Sequence, residues 1–173
     1  ETGNAVTYAR DRRVRAWAKA RGVPFRELAA GGVVRRFASR DGWAAQWEAT
    51  MRAPVVHPPR QSPPAIVHDT GHVPDPASLG VRAWAARDPV PAAGERAAHD
   101  ALRSFLTERG VDYRRAMSSP VSAPSACSRL SAHLAFGSLS GRQCWQAARQ
   151  RRAALRTTPE ADPRWSGAID SFT

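Results

Sequence analysis

Cys127-Ser128-Arg129-Leu130-Ser131-Ala132-His133-Leu134-Ala135-Phe136-Gly137 is the stretch on which the reading of this chain turns. Two serines flank an Arg-Leu pair, a short apolar series follows, and a glycine closes it. Pro124 and Ser125 mark a loop just upstream, while Leu130, Leu134 and Phe136 open a segment expected to be buried. This arrangement puts Ser128 and Ser131 at or near a helix N-terminus, where unpaired backbone N–H groups and the helix dipole favour an anion. The same residues also suit an ordinary N-cap and its neighbour. The residues alone leave both readings open, a plain helix cap or a cradle for a phosphate.

Outward from this stretch the pattern is helical. Ser140-Gly141-Arg142-Gln143 has the spacing of a capping box and starts a helix carrying Cys144, Trp145 and Ala148, with Arg149, Arg151 and Arg152 near its end. Asp162-Pro163 reads as an N-cap followed by a first-turn proline, with Trp165 and Ile169 on the buried side. Upstream, Gly94 to Arg109 carries Ala97, Ala98, Ala101, Leu102, Phe105 and Leu106 on one stripe, and Gly110 ends it. Tyr113 follows, then a Ser/Pro-rich loop over 118–125. Residues 93–173 are therefore expected to be all-α.

Residues 54–92 differ in composition. Nine of the 14 prolines fall there, which excludes a long helix, although Val81–Trp84 could form a turn or two. The segment reads as an interdomain connector. His57, His68 and His72 lie in it without a helical frame and read as surface histidines rather than metal ligands.

Before the connector, residues 5–21 predict an amphipathic helix stopped by Gly22. Val23–Leu28 predicts a strand, and Val33-Val34 a further short extended piece. Ser39 is placed as the N-cap of a helix whose Trp43, Trp47 and Met51 share one face. Such a stripe can stack bases, but it reads first as core, as does Trp17. A helix followed closely by a strand suggests the end of an α/β domain over residues 1–53.

The formal charge is +11, which invites a nucleic-acid partner. Of the 26 basic residues only Lys19 is lysine, a skew that with abundant alanine matches GC-rich codon usage. The charge is also spread out: 11 basic and 5 acidic side chains in residues 1–53, 12 and 7 in 94–173, 3 and 3 between. No apolar run approaches the ~20 residues of a membrane span, and nothing at the start resembles a signal peptide. Cys127 and Cys144 form neither a disulfide framework nor a zinc site, so a reduced cytoplasmic setting is expected. A chain that starts at Glu1 and stops in a helix-like run at Thr173 reads as a fragment.

Several motifs, taken in order, resemble the DNA photolyase and cryptochrome family. They are Gly94-Glu95, Tyr113, a loop, Cys127-Ser128-Arg129-Leu130-Ser131, and Leu139-Ser140-Gly141-Arg142-Gln143. The family has Thr-Ser-x-Leu-Ser and then Leu-Ser-x-Arg at the last two. Tyr8-Ala9-Arg10-Asp11 resembles the Ala-Arg-Asp helix near the end of the family's α/β domain. Gly31–Arg36 and Ser39–Trp43 resemble a bacterial cryptochrome-like branch. The resemblance implies the last part of a Rossmann-like α/β domain in 1–53, the connector in 54–92, and the first helices of an FAD-binding all-α domain in 93–173. It implies FAD as cofactor, with Cys127, Ser128, Arg129, Leu130 and Ser131 at its diphosphate and Tyr113 beside it.

Two departures carry chemical weight. Cys127 stands where the family has threonine, and a thiol is the weaker donor. Thr7 stands where some members carry a folate-binding carboxylate, so the antenna chromophore is left unassigned.

The implied activity is light-driven splitting of cyclobutane pyrimidine dimers in damaged duplex DNA, the lesion being flipped out of the stack. The alternative within the family is a blue-light photoreceptor that binds FAD and signals to a partner protein. A third reading is a basic helical nucleic-acid-binding module without cofactor. No catalytic residue is assigned, because the family's lesion pocket and tryptophan relay would lie beyond Thr173, and Trp145 and Trp165 read as core. Arg114 and Arg115 read equally as DNA-facing or as solvated surface. A fragment of this extent would form one wall of the FAD cavity and would be inactive alone.

Overall fold

The computed structural model describes residues 5–27, 39–61, 71–81 and 90–173. Among them every regular element is helical and none is a strand. The α/β expectation for residues 1–53 is thus corrected. Val23 to Glu27 is irregular chain, because a strand exists only as part of a hydrogen-bonded ladder and this segment has no partner strand among the described residues. Pro24 removes one of its donors, and the Val23 N–H turns back to the Ala18 carbonyl at 2.9 Å. Leu28, Val33 and Val34 lie outside the described residues, as do His68 and residues 82–84 of the expected turn.

The helix ending there, α1, spans Ala5–Ala20 and stops at Gly22 with φ +65°, as its sequence foretells. Its apolar side chains are not core. Only Ala18 is buried, while Trp17 is 51 % exposed beneath the Arg21 guanidinium at 4.8 Å.

Helix α2 spans Trp43–Arg52. Ser39 does not cap it. Its hydroxyl accepts from the Asp41 N–H at 3.0 Å, and Gly42 with φ +78° leads into the helix. Between α2 and the next α-helix the described residues hold only a 3-10 turn, Pro76–Leu79, capped by Asp75, whose carboxylate accepts from the Ala77 N–H.

The remainder is a compact helical unit. Helix α3 spans Glu95–Thr107, followed by a 3-10 turn Arg109–Asp112, α4 Tyr113–Ala116, α5 Ala123–Ala126, α6 Ser131–Ala135, α7 Gly141–Arg156 and α8 Arg164–Phe172. The α3 stripe is buried as its spacing dictates: Ala98, Leu102, Phe105 and Leu106 join Leu130, Leu139, Ala148, Trp165, Ala168 and Ile169 in one core. Gly110 lies buried against α3, where a Cβ would sit 2.3 Å from the Phe105 carbonyl. The capping box closes fully: the Gln143 N–H donates to Ser140 Oγ at 3.2 Å, and the Ser140 N–H to Gln143 Oε1 at 2.8 Å.

Helix α7 organises the others through polar side chains as well as its apolar face. Its Arg142 donates to the Thr50 and Pro54 carbonyls at 2.9 and 3.0 Å, and its Gln146 amide to those of Met51 and Ala53, each at 2.8 Å. Arg151 donates to the Leu106 carbonyl at 3.0 Å. The last carbonyls of α2 and α3, which a helix cannot satisfy internally, are thus tied to α7.

Candidate phosphate-binding segment

Helix α5 runs out at Cys127, whose backbone is extended (φ −77°, ψ 158°). Two residues later Arg129 takes φ +60°, the only non-glycine in the left-handed region among the described residues. That conformation costs about 1–2 kcal/mol for an L-residue, so the surroundings must hold it. Two anchors do so. Leu130, 2 % exposed, drives its side chain into the core. From the other side Arg109, partly buried after α3, donates to the Cys127 carbonyl, to the Ser128 carbonyl at 2.6 Å and to that of Ala101 at 3.1 Å.

The turn leaves a run of donors unused. Among the described residues the backbone N–H groups of Ser128 through His133 meet no protein acceptor, nor do the hydroxyls of Ser128 and Ser131. Cys127 through Ala132, with Pro91, line an open depression of about 470 Å³ that contains no carboxylate. Burial first, and then the nearby Arg129 guanidinium, pull the Arg109 pKa down, while Cys127 and Glu108 pull it up.

The structure revises the expected roles residue by residue. Neither serine is a helix cap: Leu130 precedes α6, no side chain caps it, and Ser131 is its first residue. A five-residue helix has little dipole, so any attraction rests on the free N–H groups and arginines. Leu130 can offer a ligand only its backbone. Cys127 is half-buried, and what the fold uses is its carbonyl rather than its thiol. Leu134 and Phe136 are 43 % and 88 % exposed, not buried.

Tyr113 does not join the depression. Its ring meets Phe105 edge-on at 5.3 Å and Phe172 at 6.2 Å. Arg114 and Arg115 are exposed and share a small hollow with Arg164. Sequence reasoning missed Arg109. The available signal was a cation just past a helix end, a place from which arginine commonly reaches backbone carbonyls.

Cys144 is buried, and burial pushes its thiol up to about 11. No three His, Cys, Asp or Glu side chains among the described residues stand together as metal ligands would. No described helix is long and apolar enough to cross a membrane. Compared with known protein families, curated proteins and solved structures, the chain matches none.

Proposed function

We propose that residues 93–173 supply the diphosphate-facing wall of an FAD site in a light-driven DNA repair flavoprotein of the photolyase and cryptochrome kind. The observation that carries the reading is the run of unpaired N–H groups from Ser128 to His133, with the Ser128 and Ser131 hydroxyls. A diphosphate is rich in acceptors and needs neutral donors close together, and a carboxylate-free hollow lined by Arg129 fits that need. The resemblance of Gly94 through Gln143 to the family supplies the identity of the ligand.

When bound and reduced, FAD supplies the photoexcited electron that splits a pyrimidine dimer. The chain's own part is to bind and orient. Ser128 and Ser131 donate to phosphate oxygens, the left-handed turn at Arg129 presents consecutive N–H groups, and Arg109 holds that turn rigid. Tyr113 stands in the aromatic cluster with Phe105 and Phe172, so it supports the wall from within rather than lining it.

The test is flavin uptake by the chain and, in parallel, by protein carrying whatever flanking sequence it has naturally. The expected result is that the flanked protein is yellow, with an FAD occupancy that falls when Ser128→Ala and Ser131→Ala are combined, whereas the chain alone, as a single wall, does not retain flavin. Hydrogen bonds to charged groups are worth about 1.5–3 kcal/mol each, so the loss should reach at least tenfold in affinity. Flanked protein that stays colourless and takes up no flavin, or a double variant of it with unchanged occupancy, would refute the assignment.

A further inference from the structure

Trp43 stands where the expected core stripe fails, and its neighbourhood has the chemistry of a ligand site. Met51, two turns along α2, is 3 % exposed, whereas Trp43 is 50 % exposed. Its indole stacks on Trp47 at 6.3 Å with 27° between the planes, and Trp47 meets Trp145 of α7 edge-on at 6.3 Å. The Trp47–Trp145 contact, with Arg142 and Gln146, already fastens α2 to α7. Trp43 lies one turn beyond that clasp and keeps half its surface in water.

Guanidinium groups border these rings. Arg149 lies over Trp145 at 5.4 Å, and Arg40 joins Trp43, Ser39 and Ala44 in walling a hollow of about 480 Å³. Among the described residues neither Arg40 nor Arg149 has a carboxylate partner. The two local acids are engaged: Asp41 accepts from Ser39 at 2.9 Å, and Glu48 pairs with Arg52 at 3.2 Å. The surface therefore combines a half-exposed indole, backed by Trp47, with two guanidinium groups that make no ion pair among the described residues.

We propose that this face of α2, with Arg149 of α7, binds single-stranded nucleic acid. A base stacks on Trp43 with its own phosphate at Arg40, and the strand continues past Trp47 and Trp145 to bring a later phosphate to Arg149. Every base offers a π-face, so such a platform tolerates sequence, whereas a duplex keeps those faces covered. An acidic peptide would satisfy the arginines but leave the indoles unused. The inference stands apart from the flavin reading, since no residue is shared with the Cys127–Ser131 segment.

The test is anisotropy of a fluorescein-labelled oligothymidylate titrated with the full chain, against a blunt duplex of equal length, over a salt series. The expected result is tighter binding of the single strand, with quenching of tryptophan fluorescence. Trp43→Ala should weaken it roughly five- to a hundredfold, the range found on removing a stacking aromatic. Trp43→Phe should retain most of the affinity, while Trp43→Leu, which keeps apolar bulk without the ring, should not. Arg149→Gln should reduce the salt slope by about one contact, and Arg103→Gln on α3 should change nothing. Circular dichroism confirms that each variant is folded. Trp43→Leu binding as the parent does, equal loss from Arg103→Gln, or displacement of the strand by polyglutamate of equal charge would overturn the proposal.

Discussion

Replacing Arg109 by methionine removes a cation that reaches three carbonyls while keeping most of its apolar stem. The magnitude follows from where those carbonyls lie. The Ala101 carbonyl belongs to mid-α3 and already accepts its helical bond, so its loss costs little. The Cys127 and Ser128 carbonyls lose charge-assisted bonds worth about 1.5–3 kcal/mol each, but they border an open hollow and water replaces part of that. Relaxation of the left-handed turn returns about 1 kcal/mol, and loss of the Arg129 repulsion acts in the same direction. The net expectation is a destabilisation of about 2 kcal/mol, or a Tm lower by ~5–10 °C. Urea unfolding followed by circular dichroism measures the first, and a thermal scan the second. Arg109→Lys should recover less than half, because an ammonium cannot span carbonyls as a guanidinium fork does. A methionine variant within ~0.5 kcal/mol of the parent, the scatter of ordinary surface substitutions, would refute the clamp.

Gly110→Ala places a Cβ 2.3 Å from the Phe105 carbonyl and 2.8 Å from its ring, so calorimetry should find a loss of about 3 kcal/mol. Ser140→Ala opens the capping box and should cost about 1 kcal/mol in the same experiment, with most of the change in protection of α7 amides against hydrogen exchange. Gln146→Leu deprives the Met51 and Ala53 carbonyls of their donor, and α2 amides should then exchange faster while those of α3 do not. The Cys144 thiol, held near 11 by burial, should resist alkylation at neutral pH while half-buried Cys127 reacts. Its folded pKa lies above the ~8.5 of an unfolded chain, so its contribution to stability is complete below that value and is lost as pH rises towards 11. A urea midpoint that stays flat across that window would contradict it.

The helical unit was legible because its signals are local and mutually consistent. The α3 stripe, the Ser140–Gln143 box and the Asp162-Pro163 start each specify a helix from neighbours within a turn or two, and the core then assembles from the faces they create. Residues 1–53 misled for the opposite reason. Val23–Leu28 has strand-like composition, but strand formation depends on a partner elsewhere, and composition cannot supply one. Trp17 and Trp43 misled differently. Helical spacing says that side chains share a face, not that anything covers it.

At the candidate site the sequence located the segment and its hydroxyls. It could not disclose the Arg109 clamp, a contact across 18 or 19 residues, or the left-handed turn at Arg129. The correction sharpens the chemistry. Neither serine is a cap: Ser128 lies in the turn before α6 and Ser131 opens that helix, so the unpaired donors are those of the turn together with the first-turn N–H groups of α6.

The most direct test of the central claim is a ¹⁵N–¹H correlation spectrum of the chain titrated with FAD, since weak binding suffices to move amide signals. The account predicts shifts concentrated on Ser128 to His133, reproduced in part by ADP and abolished in the Ser128→Ala/Ser131→Ala variant. Amides of that segment that stay still at saturating FAD, or that respond no more than those of α1, would contradict it.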